Sequence, residues 1–343
     1  MLADHYLSVL RGDGDPAEGV PVLLAPLSGV TDLYMRRIAR RHGATAVVSE
    51  MVAAAELARG DAESQLRSEG AGVSPHVVQL AGCAQEPMAR AARIAVEAGA
   101  DVIDVNMGCP AKTVTGGAAG SALMRDLDNA ERLLGAVRDA VDVPVTVKMR
   151  LGWDEASLNA ADLAQRAERL GLNAVTVHGR TRQQFYKGSA DWSAIRAVAQ
   201  AVKIPVFANG DITSIDGARA CLAASGAAGV MIGRAAQGRP WLVGAIAAAL
   251  AGQARPEPSR AERASIACEH YEGLIALYGA AMGVRHARKH LASYVDHAGP
   301  GALAAPERAR LLTTTEPAVA LELLRRAFLD PDGSALESLG EAA

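Results

Sequence analysis

Val102-Ile103-Asp104-Val105-Asn106-Met107-Gly108-Cys109-Pro110 is the stretch on which the reading of the fold turns. Val102, Ile103 and Val105 form the apolar, β-branched run of a short buried strand. Gly108 and Pro110 stop that strand, the first by loosening the backbone, the second by fixing φ and removing a donor. Cys109 therefore stands on a turn at the strand's carboxyl end. A free cysteine there reads two ways, as a small buried hydrophobe or as a thiol aimed at a ligand. The stretch alone leaves both open.

Outward from it, apolar runs recur at 20–26, 46–50 and 76–82 on one side and at 143–149, 174–178, 204–209 and 229–233 on the other. Helical patterns lie between them, among others at 51–58, 87–98, 158–170 and 193–202. Strands alternating with helices predict an α/β fold, here a (β/α)8 TIM barrel. The runs are continuously apolar, as strands covered on both faces are. The rival, an open doubly wound sheet, would carry a Gly-x-Gly-x-x-Gly turn; neither that nor a Gly-Lys-Ser/Thr phosphate loop occurs. Pro256 and Pro258 mark a linker. Beyond it only helical patterns follow, at 260–277, 284–297, 306–313 and 317–328. The expected organisation is a barrel over 1–252, an all-helical C-terminal domain over 256–330 and a disordered tail over 331–343.

Half of the 343 residues are hydrophobic, enough for a sizeable core, and the formal net charge is -3. Any contact with nucleic acid must then come from a local patch. The first twenty residues read as a polar lead-in with no apolar signal segment. No apolar run is long enough to span a membrane. Cys83, Cys109, Cys221 and Cys268 form no Cys-x-x-Cys pair, so neither a zinc site nor a redox dithiol is supported. The expectation is a reduced, cytoplasmic monomer without a metal.

A barrel enzyme carries its chemistry at the carboxyl ends of its strands. Those ends hold Pro26-Leu27-Ser28, Ser49-Glu50, Gln79, Asn106 with Cys109, Lys148 with Arg150, His178 with Arg180, Asn209-Gly210-Asp211 and Gly233-Arg234. Singly each has a plain structural explanation: Lys148 could pair with Glu50, His178 could be a satisfied core histidine, and Asn209-Gly210-Asp211 could be only a turn. Together on one rim they are harder to set aside. A lysine among Val145, Val147 and Met149 needs an anionic or electron-rich partner. The ends of the seventh and eighth strands are where barrels commonly bind phosphate, and Gly210, Gly233 and Arg234 suit that use. A phosphate-bearing cofactor follows from position, with Lys148 beside its redox ring.

These residues also carry a resemblance. Ala25-Pro26-Leu27-Ser28-Gly29-Val30-Thr31-Asp32, Val78-Gln79-Leu80, Asp104-Val105-Asn106-Met107-Gly108-Cys109-Pro110-Ala111-Lys112, Val147-Lys148-Met149-Arg150, Val177-His178-Gly179-Arg180-Thr181, Asn209-Gly210-Asp211 and Gly233-Arg234 stand in the order found in tRNA-dihydrouridine synthases, and the chain most resembles the bacterial B-type group. The resemblance spans residues 20–328. It implies a flavin-dependent oxidoreductase that reduces the C5–C6 bond of uridine in tRNA, with FMN as cofactor and NADPH (or NADH) as hydride donor. By the family pattern Pro26, Leu27, Ser28, Gln79, Lys148 and His178 line the flavin, while Asn209, Gly210, Asp211, Gly233 and Arg234 hold its phosphate. Cys109 matches the proton donor, and Asn106 and Arg180 fall where substrate contacts are expected. The family usually has Met-Ala where Leu27-Ser28 stands, and more cationic residues where 113–120 is neutral and Gly-rich. The resemblance also places tRNA on the C-terminal helices, where Arg285, Arg288 and Lys289 share one face at i, i+3 and i+4. The enzyme alternative is a dihydroorotate dehydrogenase-like FMN barrel acting on a free pyrimidine. The non-enzyme alternative is an RNA-binding or folding factor of the same shape.

Overall fold

Eight parallel strands close on themselves in chain order: β1 (Val22–Leu24), β2 (Ala46–Ala53), β3 (His76–Ala81), β4 (Val102–Met107), β5 (Val145–Arg150), β6 (Ala174–His178), β7 (Val206–Asn209) and β8 (Gly229–Ile232). Each pairs with its successor, and β8 returns to β1 through Val22 opposite Val230. The expected (β/α)8 barrel is the fold. Every residue of β3, β4 and β5 is buried, as the continuous apolar runs require. The structure, a computed structural model, describes residues 2–11, 13, 19–111 and 118–329; the expected tail at 331–343 and the motif residue Lys112 lie outside the described residues.

Helices fill the intervals, and two local differences from the sequence reading have physical causes. β2 runs on to Ala53, past the point where a helix was expected at 51, because Met51, Val52 and Ala53 continue the ladder opposite Gln79, Leu80 and Ala81 after a register shift. The helix that follows is only Ala54–Ala58. The polar lead-in is also a helix, Leu2–Arg11. Its Tyr6 and Leu10, one turn apart, are buried against Ala46, Val102 and Ala174, which begin β2, β4 and β6, and against Phe207. Tyr6 and Phe207 are tilted rings with centroids 6.1 Å apart. This helix closes the amino-terminal mouth of the barrel.

The chain divides into two compact units, residues 1–234 with 242–255 and residues 235–241 with the chain from 256 onward. The second unit thus includes a short segment from within the expected barrel range. Its described helices are Arg260–Ala298, Ala305–Thr313 and Pro317–Leu329. The first begins at Ser259, whose hydroxyl accepts from the Glu262 N–H while the Glu262 carboxylate accepts from the Ser259 N–H at 2.7 Å. It breaks at Gly279, whose φ of 74° is the left-handed backbone that glycine supplies without strain. The two arms fold back on each other. Tyr278 stacks on His286 (4.5 Å between centroids), and His270 lies against His290 (4.4 Å) and Tyr294 (5.8 Å). No helix among the described residues is long and apolar enough to cross a membrane.

Candidate active site

Alternate residues of a barrel strand face the interior. Along β4 the interior positions are Asp104 and Asn106, along β5 Thr146, Lys148 and Arg150, and along β6 Thr176 and His178. All are buried except His178, which is half-buried. Neighbouring strands bring them together: Gln79 is level with Asp104, Asp104 with Thr146, Asn106 with Lys148, and Arg150 with His178.

The Cys109 turn is tied down from several sides. The Asn106 side-chain oxygen accepts from the N–H groups of Gly108 (3.2 Å) and Cys109 (2.9 Å). Ser121 donates its hydroxyl to the Cys109 carbonyl at 2.9 Å, and Arg150 donates from Nε to the Gly108 carbonyl at 2.8 Å. The thiol is free and half-buried, so the reading of Cys109 as a fully buried hydrophobe does not apply. Asn106 donates to Gln79 at 2.8 Å, and Gln79 donates to Asp104 at 2.7 Å. Asn106, expected to meet substrate, thus spends its oxygen on the turn that carries Cys109.

Lys148 donates to the Asn209 oxygen at 3.1 Å, not to Glu50, which instead accepts from the Gly29 N–H. Burial lowers the Lys148 pKa to about 8, with Arg150 adding to the fall and Asp104 opposing it. Burial likewise raises the pKa of Asp104, against the pull of its hydrogen bonds and of Lys148. His178 is held well below the usual histidine range, first by burial and then by Lys148, Arg150, Arg180 and Arg234. It is therefore neutral at pH 7. Its Nε2 faces an Arg180 N–H at 3.3 Å, which makes Nε2 the acceptor and leaves the proton on Nδ1. Gly210 passes directly over this ring: with φ of 119°, a Cβ there would come within 3.0 Å of His178 Cδ2 and 2.7 Å of Ala190 Cβ.

Asp211 and Arg180 are paired with each other on the rim. Arg180 is 2% exposed and grips Asp211 through both terminal nitrogens at 3.0 and 2.5 Å. It also donates to the carbonyls of Lys187 and Gly188. A guanidinium so committed ties the 178–188 segment to Asp211. Asp211 accepts in addition from Arg234, whose side chain is 57% exposed, at 3.2 Å. Burial pushes the Asp211 pKa up, but the Arg180 hydrogen bond, the Ala190 N–H and the two positive charges bring it below the usual range.

Of the other expected flavin contacts, Pro26 and Leu27 are half-buried and Ser28 is exposed just beyond β1. In the helical unit Arg285 and Arg288 are exposed and Lys289 is half-buried; among the described residues none of the three pairs with a carboxylate. His290, next to Lys289 in the chain, is buried in the hairpin. Sequence reasoning assigned no role to Asp104, Thr146, Ser121 or Tyr186. The first two carry a signal, a polar residue at every second position of an apolar strand. Tyr186 is an exposed ring packed edge-on to Phe185 (4.7 Å), with the guanidinium groups of Arg234 and Arg150 4.9 and 5.6 Å from its centroid.

Compared with known proteins, the chain matches the sequence profile described as dihydrouridine synthase over residues 23–330. The chain belongs to the dihydrouridine synthase family. It is 53% identical over 317 residues to a probable tRNA-dihydrouridine synthase of Rhodobacter capsulatus, an alignment that covers 92% of this chain and 96% of that one. Against a probable tRNA-dihydrouridine synthase of Rhizobium leguminosarum the identity is 52%, with the same coverage. Against tRNA-dihydrouridine synthase B of Pseudomonas putida it is 50% over 276 residues, covering 80% and 82% of the two chains. Every described rim residue above lies inside the span matched to the dihydrouridine synthase family, and so does the helical unit up to 329.

Proposed function

We propose that this protein is a tRNA-dihydrouridine synthase that adds two hydrogens across the C5–C6 bond of a uridine in tRNA, with FMN as cofactor, NADPH as reductant and Cys109 as proton donor. The observation that carries the reading is the Cys109 turn. A free thiol stands at the carboxyl end of a barrel strand, its backbone N–H fixed by Asn106, on the rim that also carries Lys148 and Arg234.

The donor set fits FMN. Lys148 is a buried cation that no carboxylate pairs with among the described residues, which suits an electron-rich ring edge. Around Gly233 the backbone is open: a Cβ there would meet nothing nearer than Ala25 Cβ at 3.9 Å, leaving room for a phosphate beside Arg234. Gln79, Lys148 and His178 would hold the ring system over Pro26, Leu27 and Ser28. Asn209, Gly210, Gly233 and Arg234 would hold the phosphate, with Asp211 aiming Arg234. When bound, FMN supplies the hydride that goes to uracil C6. Cys109 Sγ gives its proton to C5, and Asn106 keeps the thiol's turn in place while it does so. The neutral His178 donates from Nδ1 without adding positive charge. The target base must leave the RNA stack to reach the barrel, and the exposed pair Phe185 and Tyr186 offers it an aromatic surface. Arg285, Arg288 and Lys289 would meet tRNA phosphates.

The test is direct. Purified protein is expected to be yellow, to be bleached by NADPH, and to be reoxidised by unmodified tRNA with one dihydrouridine formed per turnover. Reoxidation by orotate or free uridine but not by tRNA would favour the free-pyrimidine enzyme. Colourless protein that rejects added FMN would overturn the reading.

A further inference from the structure

Five hydrogen bonds in the barrel interior all lead toward Asp104. The Gly108 and Cys109 N–H groups donate to Asn106 Oδ1, Asn106 Nδ2 donates to Gln79 Oε1, and Gln79 Nε2 donates to Asp104 Oδ2. Thr146 closes the far end by donating to Asp104 Oδ1 at 2.6 Å. Backbone N–H groups can only donate, and at Asp104 both carboxylate oxygens accept, one from Gln79 and one from Thr146. Between these two ends stand two amides, each able to turn over and exchange its oxygen for its NH2. Turned over, Asn106 would present N–H to N–H at the Cys109 turn, and Gln79 would present oxygen to the Asp104 carboxylate. Gln79 and Asp104 are fully or nearly fully buried, so water does not repair such a mismatch.

We propose that Asp104 is a positioning residue for Cys109: as the acceptor-only end of this chain it fixes the orientation of the Gln79 and Asn106 amides, and through them the turn that carries the thiol. Asp104 touches neither thiol nor substrate; it acts two side chains away. The link to turnover rests on the proposed tRNA reduction, whereas the effect on Cys109 does not.

The experiment uses the flavin-loaded protein and the Asp104→Asn variant, whose new amide accommodates either direction. Cys109 alkylation by iodoacetamide is timed by mass spectrometry, with exposed Cys83 as internal reference. Loss of one directional hydrogen bond in a buried chain is expected to speed Cys109 alkylation about fivefold, with Cys83 unchanged. Reoxidation of the NADPH-reduced variant by tRNA should slow by about tenfold or more, while flavin occupancy and reduction by NADPH stay within about twofold of the parent. Gln79→Glu in the Asp104→Asn background restores an acceptor-only group one link closer to Asn106. Normalised to flavin content, this double variant should return Cys109 alkylation towards the parent rate. A role in packing alone predicts additive damage instead. Parent-like alkylation of Cys109 in Asp104→Asn would overturn the proposal, as would no recovery in the double variant. If Asp104→Asn does not fold, Gln79→Leu cuts the same chain at its middle, and parent-like alkylation there overturns the proposal equally. If the parent reduces no tRNA, the reaction assignment fails, and the alkylation result still decides the role of Asp104.

Discussion

Replacing Lys148 with Met should make the flavin-free protein more stable and the flavin-bound protein harder to form. The fall of the Lys148 pKa from 10.5 to about 8 is, at about 1.4 kcal/mol per pH unit, an electrostatic handicap of about 3 kcal/mol at pH 7. Losing the charged hydrogen bond to Asn209 offsets about half of the gain. The net expectation is a variant about 2 kcal/mol more stable, which in a protein of this size is a melting temperature about 3 °C higher. The sign of the pH dependence follows from proton binding. Lys148 loses its proton near pH 8 in the folded chain but only near 10.5 in the unfolded chain. Between those values the unfolded chain binds more protons, so the parent gains stability as pH rises, and its handicap shrinks to about 1 kcal/mol by pH 9.5. Calorimetric melts of flavin-stripped parent and Lys148→Met at pH 7 and pH 9.5 measure both points. FMN titrations on the same samples should show weaker binding in the variant at pH 7 and a parent affinity that declines above about pH 8, where the ammonium is lost. A variant less stable than the parent at pH 7, or a difference independent of pH, would refute the reasoning.

Cys109→Ala should keep its flavin and its reduction by NADPH while dihydrouridine formation falls by about 10² to 10⁴, the range for loss of a general acid, as read by single-turnover reoxidation. Arg234→Ala should weaken FMN binding by about 1 kcal/mol, a value reduced because the side chain is 57% exposed and screened; equal flavin retention after dialysis would show that the phosphate lies elsewhere. Replacing Arg285, Arg288 and Lys289 together by Gln should raise the tRNA Michaelis constant and flatten the salt dependence of binding by about 0.7 to 0.9 for each phosphate left without its cation, with flavin reduction untouched. A triple variant with the parent's salt slope would turn attention to the barrel rim around Lys187.

The barrel was legible because buried parallel strands are written as uninterrupted apolar runs, and the rim because a lysine or histidine ending such a run is conspicuous. What stayed hidden depends on neighbours in space. That Gln79 and Asp104 sit level is a matter of inter-strand register, which no single strand encodes. Arg180 reads as a loop cation open to substrate; only the fold reveals that Asp211 and two carbonyls surround it. The amino-terminal helix escaped because the acidic residues after it dominate a short stretch, although Tyr6 and Leu10 already stood four apart. The extension of β2 to Ala53 reversed a local preference, since pairing with β3 outweighs the helix propensity of alanine.

That amino-terminal helix has a consequence for the order in which the protein is made. It leaves the ribosome before any strand, yet its seat includes Phe207 and Met231, which belong to the last two strands. For most of synthesis Tyr6 and Leu10 have no finished surface to lie on. They can dock only once the barrel has closed, so a segment that precedes every strand is the last to settle. A fusion partner placed ahead of residue 2 would burden this final step and emerge at the end of the barrel opposite Cys109, which makes the amino terminus a safe point for a tether in catalysis and a poor one for yield.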